Sequence, residues 1–97
     1  MRRTVRKSVL AELDLISIWE YSLEQWDATQ ADKHLDALYK GISALADNPE
    51  LGVSRDAVRA GYRALLINSH AVYCTITPGA IFVVRILHEG MDPGRHL

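Results

Sequence analysis

Apolar residues recur at helical spacing through the first half of the chain and gather into short strand-like runs in the second half. Between Val9 and Trp26, the residues Ala11, Leu15, Ile18, Trp19 and Trp26 fall on one face of a helix. Val9, Leu13, Ile16 and Leu23 widen that stripe sideways. A stripe so wide predicts a helix that touches two neighbours, another helix and a sheet. Ser8 is a suitable N-cap for it. Asp27 can cap a second helix over residues 28–47, whose apolar positions Ala31, Leu35, Leu38, Ile42 and Leu45 step by alternating fours and threes. Asp36 and Lys40 form a supportive pair one turn apart on the polar side. The short junction at Trp26-Asp27 predicts an antiparallel hairpin, with Trp19 and Trp26 packed in the core or against the hairpin.

Asn48-Pro49-Glu50-Leu51-Gly52 ends the second helix, because proline disfavours helical geometry in the residue before it and glycine permits the turn. Strand-like runs follow at Gly61–Ile67, Ala71–Thr77 and Ala80–His88, separated by turns at Asn68-Ser69-His70 and Thr77-Pro78-Gly79. Residues 2–6 alternate weakly and read as a short edge strand. The segment after His88 is polar and is predicted to finish the chain without another helix. The fold class is therefore α+β: an N-terminal strand, an antiparallel helix hairpin, and an antiparallel sheet ending in a three-strand meander.

The chain has 97 residues, enough for one domain with one modest core. Its apolar fraction of 48% and charged fraction of 24% are those of an ordinary globular protein. No apolar run is long enough to cross a bilayer. The basic start Arg2-Arg3-Thr4-Val5-Arg6-Lys7 is not followed by a signal-peptide core, since Glu12 and Asp14 interrupt it, and the expected location is cytoplasmic. The single cysteine, Cys74, has no internal disulfide partner and no metal-ligand spacing around it. No metal or cofactor is expected.

A net charge of −1 conceals a segregation. Residues 8–50 hold nine acids against Lys33 and Lys40, whereas the rest of the chain holds nine bases against Asp56, Glu89 and Asp92. Such a split suits an acidic or nucleic-acid partner for the basic part, or simply an acidic helix surface balancing basic strand ends.

Several short motifs recur in a telling order. They are Ala11-Glu12 with Asp14-Leu15, then Ile18-Trp19-Glu20-Tyr21, Gln30-Ala31, and Leu45-Ala46-Asp47-Asn48-Pro49 with Leu51-Gly52. Tyr62-Arg63 with His70 and Tyr73 follow, and the chain closes on Arg85-Ile86-Leu87-His88, Met91-Asp92 and Arg95-His96-Leu97. In this order and spacing the chain resembles the ParE branch of the RelE/ParE toxin superfamily over nearly its whole length. It departs from the pattern at Trp26-Asp27, where the family often has Trp-Gly, at Ser8-Val9, where a proline is frequent, and in its more basic first strand.

The resemblance implies the toxin half of a bacterial type II toxin–antitoxin pair that binds and poisons DNA gyrase rather than catalysing a reaction. It also implies a cognate antitoxin, ParD-like with a ribbon-helix-helix DNA-binding part, whose disordered segment wraps the toxin in a hetero-oligomer and is acidic where it meets the basic sheet half. Candidate partner contacts are Arg63, Arg85, His88, Met91, Asp92, Arg95 and His96. One alternative is ribosome-dependent mRNA cleavage of the RelE kind; another is a non-toxic remnant that still binds antitoxin.

Metal-free RNA cleavage needs a base, an acid and cations for the phosphate. The chain offers Arg63, His70, Arg85 and His88, but Arg85 and His88 are three apart on one strand, so regular alternation sends them to opposite faces unless the strand end bends. No lysine follows Lys40 and no glutamate lies between Glu50 and Glu89. No catalytic set is assigned. Structural roles compete for the same residues: Arg63 as partner of a helix acid, Arg85 as a buried cation that requires a counter-ion, and His88 as a hydrogen-bonded strand end. His34 and His96 are too far apart in sequence to suggest a metal site.

Overall fold

The computed structural model describes residues 2–97. Its elements run β1 (Thr4–Lys7), α1 (Val9–Gln25), α2 (Ala28–Asp47), a 3-10 turn (Pro49–Leu51), β2 (Val53–Ser54), β3 (Arg63–Ile67), β4 (His70–Ile76), β5 (Ala80–His88) and α3 (Pro93–His96). Both long helices start where capping chemistry places them. Ser8 Oγ accepts the Ala11 N–H and Asp27 Oδ1 accepts the Gln30 N–H. They form the expected hairpin and cover one face of the sheet, burying Leu15, Ile18, Leu38, Ile42 and Leu45 against Val72, Cys74, Ile81, Val83 and Ile86. Among the described residues, no helix is long and apolar enough to cross a membrane.

The strands lie in the order β1-β5-β4-β3-β2. The meander β3-β4-β5 is antiparallel, as the runs after Gly61 predict. The sheet as a whole is mixed rather than all antiparallel, because β1 runs parallel to β5. Two helices between the first strand and the sheet return the chain to the starting end, so β1 enters in the direction of β5. Two small elements went unforeseen. The two-residue strand β2 pairs with the first residues of β3 and is too short to carry a periodic signal. The tail does contain another helix, the single turn α3, which Asp92 starts by accepting the Gly94 N–H. His70, read as part of a turn, instead opens β4; Asn68 supplies the left-handed residue of the tighter turn, with φ of 54°.

Beyond Lys7, strand β1 ends and β5 would be left with a bare edge. Helix α1 takes its place. The Ser8 N–H reaches Val83 O, and Ser8 Oγ donates to Val84 O at 2.6 Å. Val84 is the extra residue of a bulge, since Tyr73 pairs with Arg85 while Cys74 pairs with Val83. One helical turn and a half later, Asp14 receives both Arg85 Nε and Nη2, at 2.8 and 2.9 Å, and its Oδ2 also accepts the Ile86 N–H at 2.9 Å. A carboxylate thus does for β5 what a neighbouring strand would have done. Arg85 Nη1 goes on to donate to His96 O at 3.2 Å, which fixes the tail. Met91 and Leu97 then pack on the second sheet face over Tyr73, Leu87 and Ala64. Hydrogen bonding to Asp14 holds the Arg85 guanidinium even more firmly in its charged form than usual.

The Asp14 and Arg85 side chains are 14% and 15% exposed. Asp14→Ala would strand a cation and a backbone N–H, and is expected to cost about 3 kcal/mol. The double change Asp14→Leu with Arg85→Met should recover a large part of that loss. Urea denaturation of the three proteins checks this; equal stability of wild type and Asp14→Ala would remove the role assigned to the pair.

Candidate functional site

Helix α1 is apolar on two opposite sides. Ala11, Leu15 and Ile18 face the core. Val9, Leu13 and Ile16, on the far side, are 74%, 51% and 54% exposed, and Leu23 is exposed too. Helix α1 does touch two neighbours, α2 and β5, as the width of the stripe suggested, but it does so through Ala11, Leu15 and Ile18; the residues that widened the stripe form an uncovered surface. Solitary exposed apolar residues are common, but a row along one helix is a docking feature. Beside it lies a groove of about 410 Å³ between α1 and α2, lined by Lys7, Glu12, Leu15, Ile16, Trp19, Leu35 and Tyr39. Trp19 forms its floor in the hairpin and donates Nε1 to Asp32 Oδ1 at 3.2 Å. Trp26, by contrast, does not pack: it occupies the C-cap position of α1 and is 58% exposed.

A second cleft, of about 360 Å³, opens on the other flank of α1 between Ser17, Ile18, Tyr21 and the imidazoles of His70 and His88. His70 sits at the centre of a cluster. His34 Nε2 and His70 Nδ1 are 3.1 Å apart and share a proton, Asn68 Nδ2 reaches His34 Nδ1 at 3.2 Å, and the His88 ring meets His70 edge-on at 5.3 Å. Burial, then the charges that His34 and His88 can carry, push His70 down to about 4. His34 is the member that sequence separation concealed; its position between Ala31 and Leu38 on the inner side of α2 was the available signal. Among the described residues, no group of three His, Cys, Asp or Glu side chains is arranged to hold a metal ion.

The sequence-predicted residues scatter over these surfaces. Arg85 is consumed by Asp14 and His96, the structural ion pair its apolar surroundings demanded. Arg63 meets no helix acid; its Nε and Nη2 both donate to Gly52 O, because Gly52, with no side chain, lets the β2 entry lie against the Arg63 Cβ. His88 stands at the end of β5 and takes the Gly90 N–H on Nδ1. Met91 is half-buried under the sheet, Asp92 caps α3, His96 gives its carbonyl to Arg85, and Arg95 stays on the surface. Asp14, the acid that completes Arg85, went unassigned: the apolar run around Arg85 announces a partner without saying which of the twelve acids supplies it.

This strand, helix hairpin and meander define a small α+β domain that leaves one apolar helix face uncovered. A model of the family described as ParE toxin of type II toxin-antitoxin system, parDE, matches residues 5–93, and the chain belongs to that family. Toxin ParE1 of Mycobacterium tuberculosis is 38% identical over 91 residues, covering 93% of each chain. Toxin ParE1 of Caulobacter vibrioides is 34% identical over 92 residues, covering 95% of each. Two solved structures share the fold. A chain of the chromosomal ParDE system from P. aeruginosa superposes with a TM-score of 0.78 at 17% identity over 90% of this chain and 96% of that one. A chain of the RelBE2 toxin-antitoxin complex from Mycobacterium tuberculosis gives 0.67 at 18% identity over 91% and 99%.

The histidine cluster makes stability depend on pH. In the unfolded chain His70 titrates near 6.5, and in the fold only near 4, so between those values unfolding takes up a proton. Stability is therefore expected to rise with pH from about 4 to 6.5 and to level off above. The urea midpoint measured across that range should slope less in His70→Asn than in the wild type. Identical slopes would show that the cluster does not couple to folding.

Proposed function

We propose that this chain is the toxin of a type II pair, that it acts by binding DNA gyrase, and that a cognate antitoxin neutralises it in a cytoplasmic hetero-oligomer. Membership of the ParE family supports the pairing. The observation that carries the choice of target is the commitment of Arg85. A ribonuclease of the RelE kind needs a free cation near its acid and base, whereas this guanidinium is spent on the Asp14 carboxylate and the His96 carbonyl. Arg63 lines a different pocket from the cleft that holds His70 and His88, whose rings meet edge-on. Nothing in that arrangement calls for a catalytic step.

The exposed row on α1 suits the antitoxin. An amphipathic segment from a disordered partner, in the ParD-like case the part that follows a ribbon-helix-helix domain, would cover Val9, Leu13 and Ile16 and fill the groove at Trp19. The expectation of an acidic antitoxin at the basic sheet half then describes only one part of the contact, because the α1 row lies among Glu12, Glu20 and Glu24.

Induced expression without a partner should raise DNA damage signalling and alter plasmid supercoiling before protein synthesis stops, and co-expression with the adjacent gene should restore growth and yield a co-purifying pair. His88→Ala should remain toxic, since general acid–base catalysis, worth about 10²–10⁴ in rate, is not being removed. Ribosome-dependent mRNA cleavage as the first event, abolished by His88→Ala, would replace this reading with the RelE-like one. High-yield purification of the lone protein with no growth defect would favour the inactive remnant.

A further inference from the structure

Two half-buried arginines face one pocket, and neither has a carboxylate partner among the described residues. Arg3, just before β1, and Arg63, the first residue of β3, line a space of about 290 Å³ together with Pro49, Glu50 and Ile76. Arg3 Nε donates to Thr77 O at 3.0 Å. Arg63 Nε and Nη2 converge on Gly52 O at 3.0 and 2.6 Å. Neither residue belongs to any of the ion pairs formed among the described residues. Carbonyl oxygens orient a guanidinium but do not neutralise it, so both side chains present positive charge at a partly shielded surface. The anchoring bonds leave both Nη atoms of Arg3 and Nη1 of Arg63 without a protein acceptor among the described residues. Asp56 does not fill the gap: its carboxylate, held below its ordinary range by the Gly61 N–H and Ser54 hydroxyl, feels Arg63 only through space.

We propose that Arg3 and Arg63 form an anion site that takes an acidic side chain from a partner polypeptide. This rests on the reading that a partner polypeptide holds the chain. A guanidinium pair presents donor edges suited to a carboxylate. Pro49 and Ile76 offer the apolar wall that the methylene stem of a glutamate or aspartate needs, and the pocket has room for one side chain. Glu50 on the lining argues against a run of phosphates, as does the net charge of −1. The pocket shares no lining residue with the groove beside the α1 row, so it would be a second anchor, polar where the first is apolar.

The test uses ¹⁵N-labelled protein made by cell-free synthesis and three probes at low ionic strength: hexaglutamate, hexaglutamine and hexadeoxythymidylate. Hexaglutamate should shift the Nε–Hε signals of Arg3 and Arg63, added salt should reverse the shift, and hexaglutamine should do neither. Arg3→Gln should weaken hexaglutamate binding about fivefold, and Glu50→Gln should tighten it by a similar factor. Glu50→Gln keeps the test decisive should an arginine variant fold poorly, because it predicts a gain. Absence of shifts, or affinities unchanged in both variants, overturns the proposal. Tighter binding of hexadeoxythymidylate at the same two signals would overturn it too, in favour of nucleic acid. If the adjacent gene's product co-purifies while hexaglutamate ignores these arginines, only the pocket assignment falls.

Discussion

A strand edge that runs past its neighbour exposes N–H and C=O groups, and the way this chain closes the edge of β5 determines much of its architecture. Strand β1 covers β5 only as far as Val83. From there Ser8 and Asp14 on α1 supply the acceptors and donors that a longer strand would have supplied. The arrangement sets the angle at which α1 leaves the sheet. It also places a carboxylate where Arg85 can be neutralised in a shielded position. Through Arg85 the same knot captures the His96 carbonyl, so the tail that covers the second sheet face depends on an acid from the first helix. One ion pair thus joins the hairpin, β5 and the C-terminal tail. Buried pairs contribute little net stability compared with apolar replacements, so its value lies in specifying one arrangement of those three parts.

The same geometry explains why α1 keeps an uncovered apolar side. The helix is held to the sheet along Ala11, Leu15 and Ile18 and at its flank by Asp14, and α2 packs to one side of it. Among the described residues, none covers Val9, Leu13 and Ile16. An apolar row of that length is a cost to solubility unless a partner covers it. On the function proposed above, an antitoxin segment would be that partner. The two features assigned to partner contact are chemically distinct, an apolar ridge among acids and a pair of arginines beyond the end of α2. A single flexible polypeptide of mixed character could engage both.

How much of this was visible in the residues alone depended on whether the determinant was local. The two helices were, because caps at Ser8 and Asp27 and the spacing of Leu35, Leu38, Ile42 and Leu45 are read within a few turns. The meander was too, from Asn68 and Pro78-Gly79. Pairings between distant segments were not. The parallel entry of β1, the choice of Asp14 as partner of Arg85 and the approach of His34 to His70 are products of the packed arrangement. Val84 illustrates the point: one extra residue alters the alternation along β5, and no periodic reading of Ile81–His88 reveals it. The outer face of α1 misled for a different reason, since apolar periodicity reports that a surface is to be covered but not by whom.

The placement of β1 has a consequence for how the chain is made. Ser8 and the strand segment it meets at Val84 are 76 positions apart, so the first strand remains unpaired until almost the whole polypeptide has been synthesised. Closing so long a loop carries an entropic penalty that only the finished meander can offset. During translation the nascent helices therefore expose both apolar sides of α1, the one destined for the sheet as well as the one left open at the end. In that interval the emerging chain is a client for whatever binds apolar helices, and it gains its mature surface only after its last strand has left the ribosome.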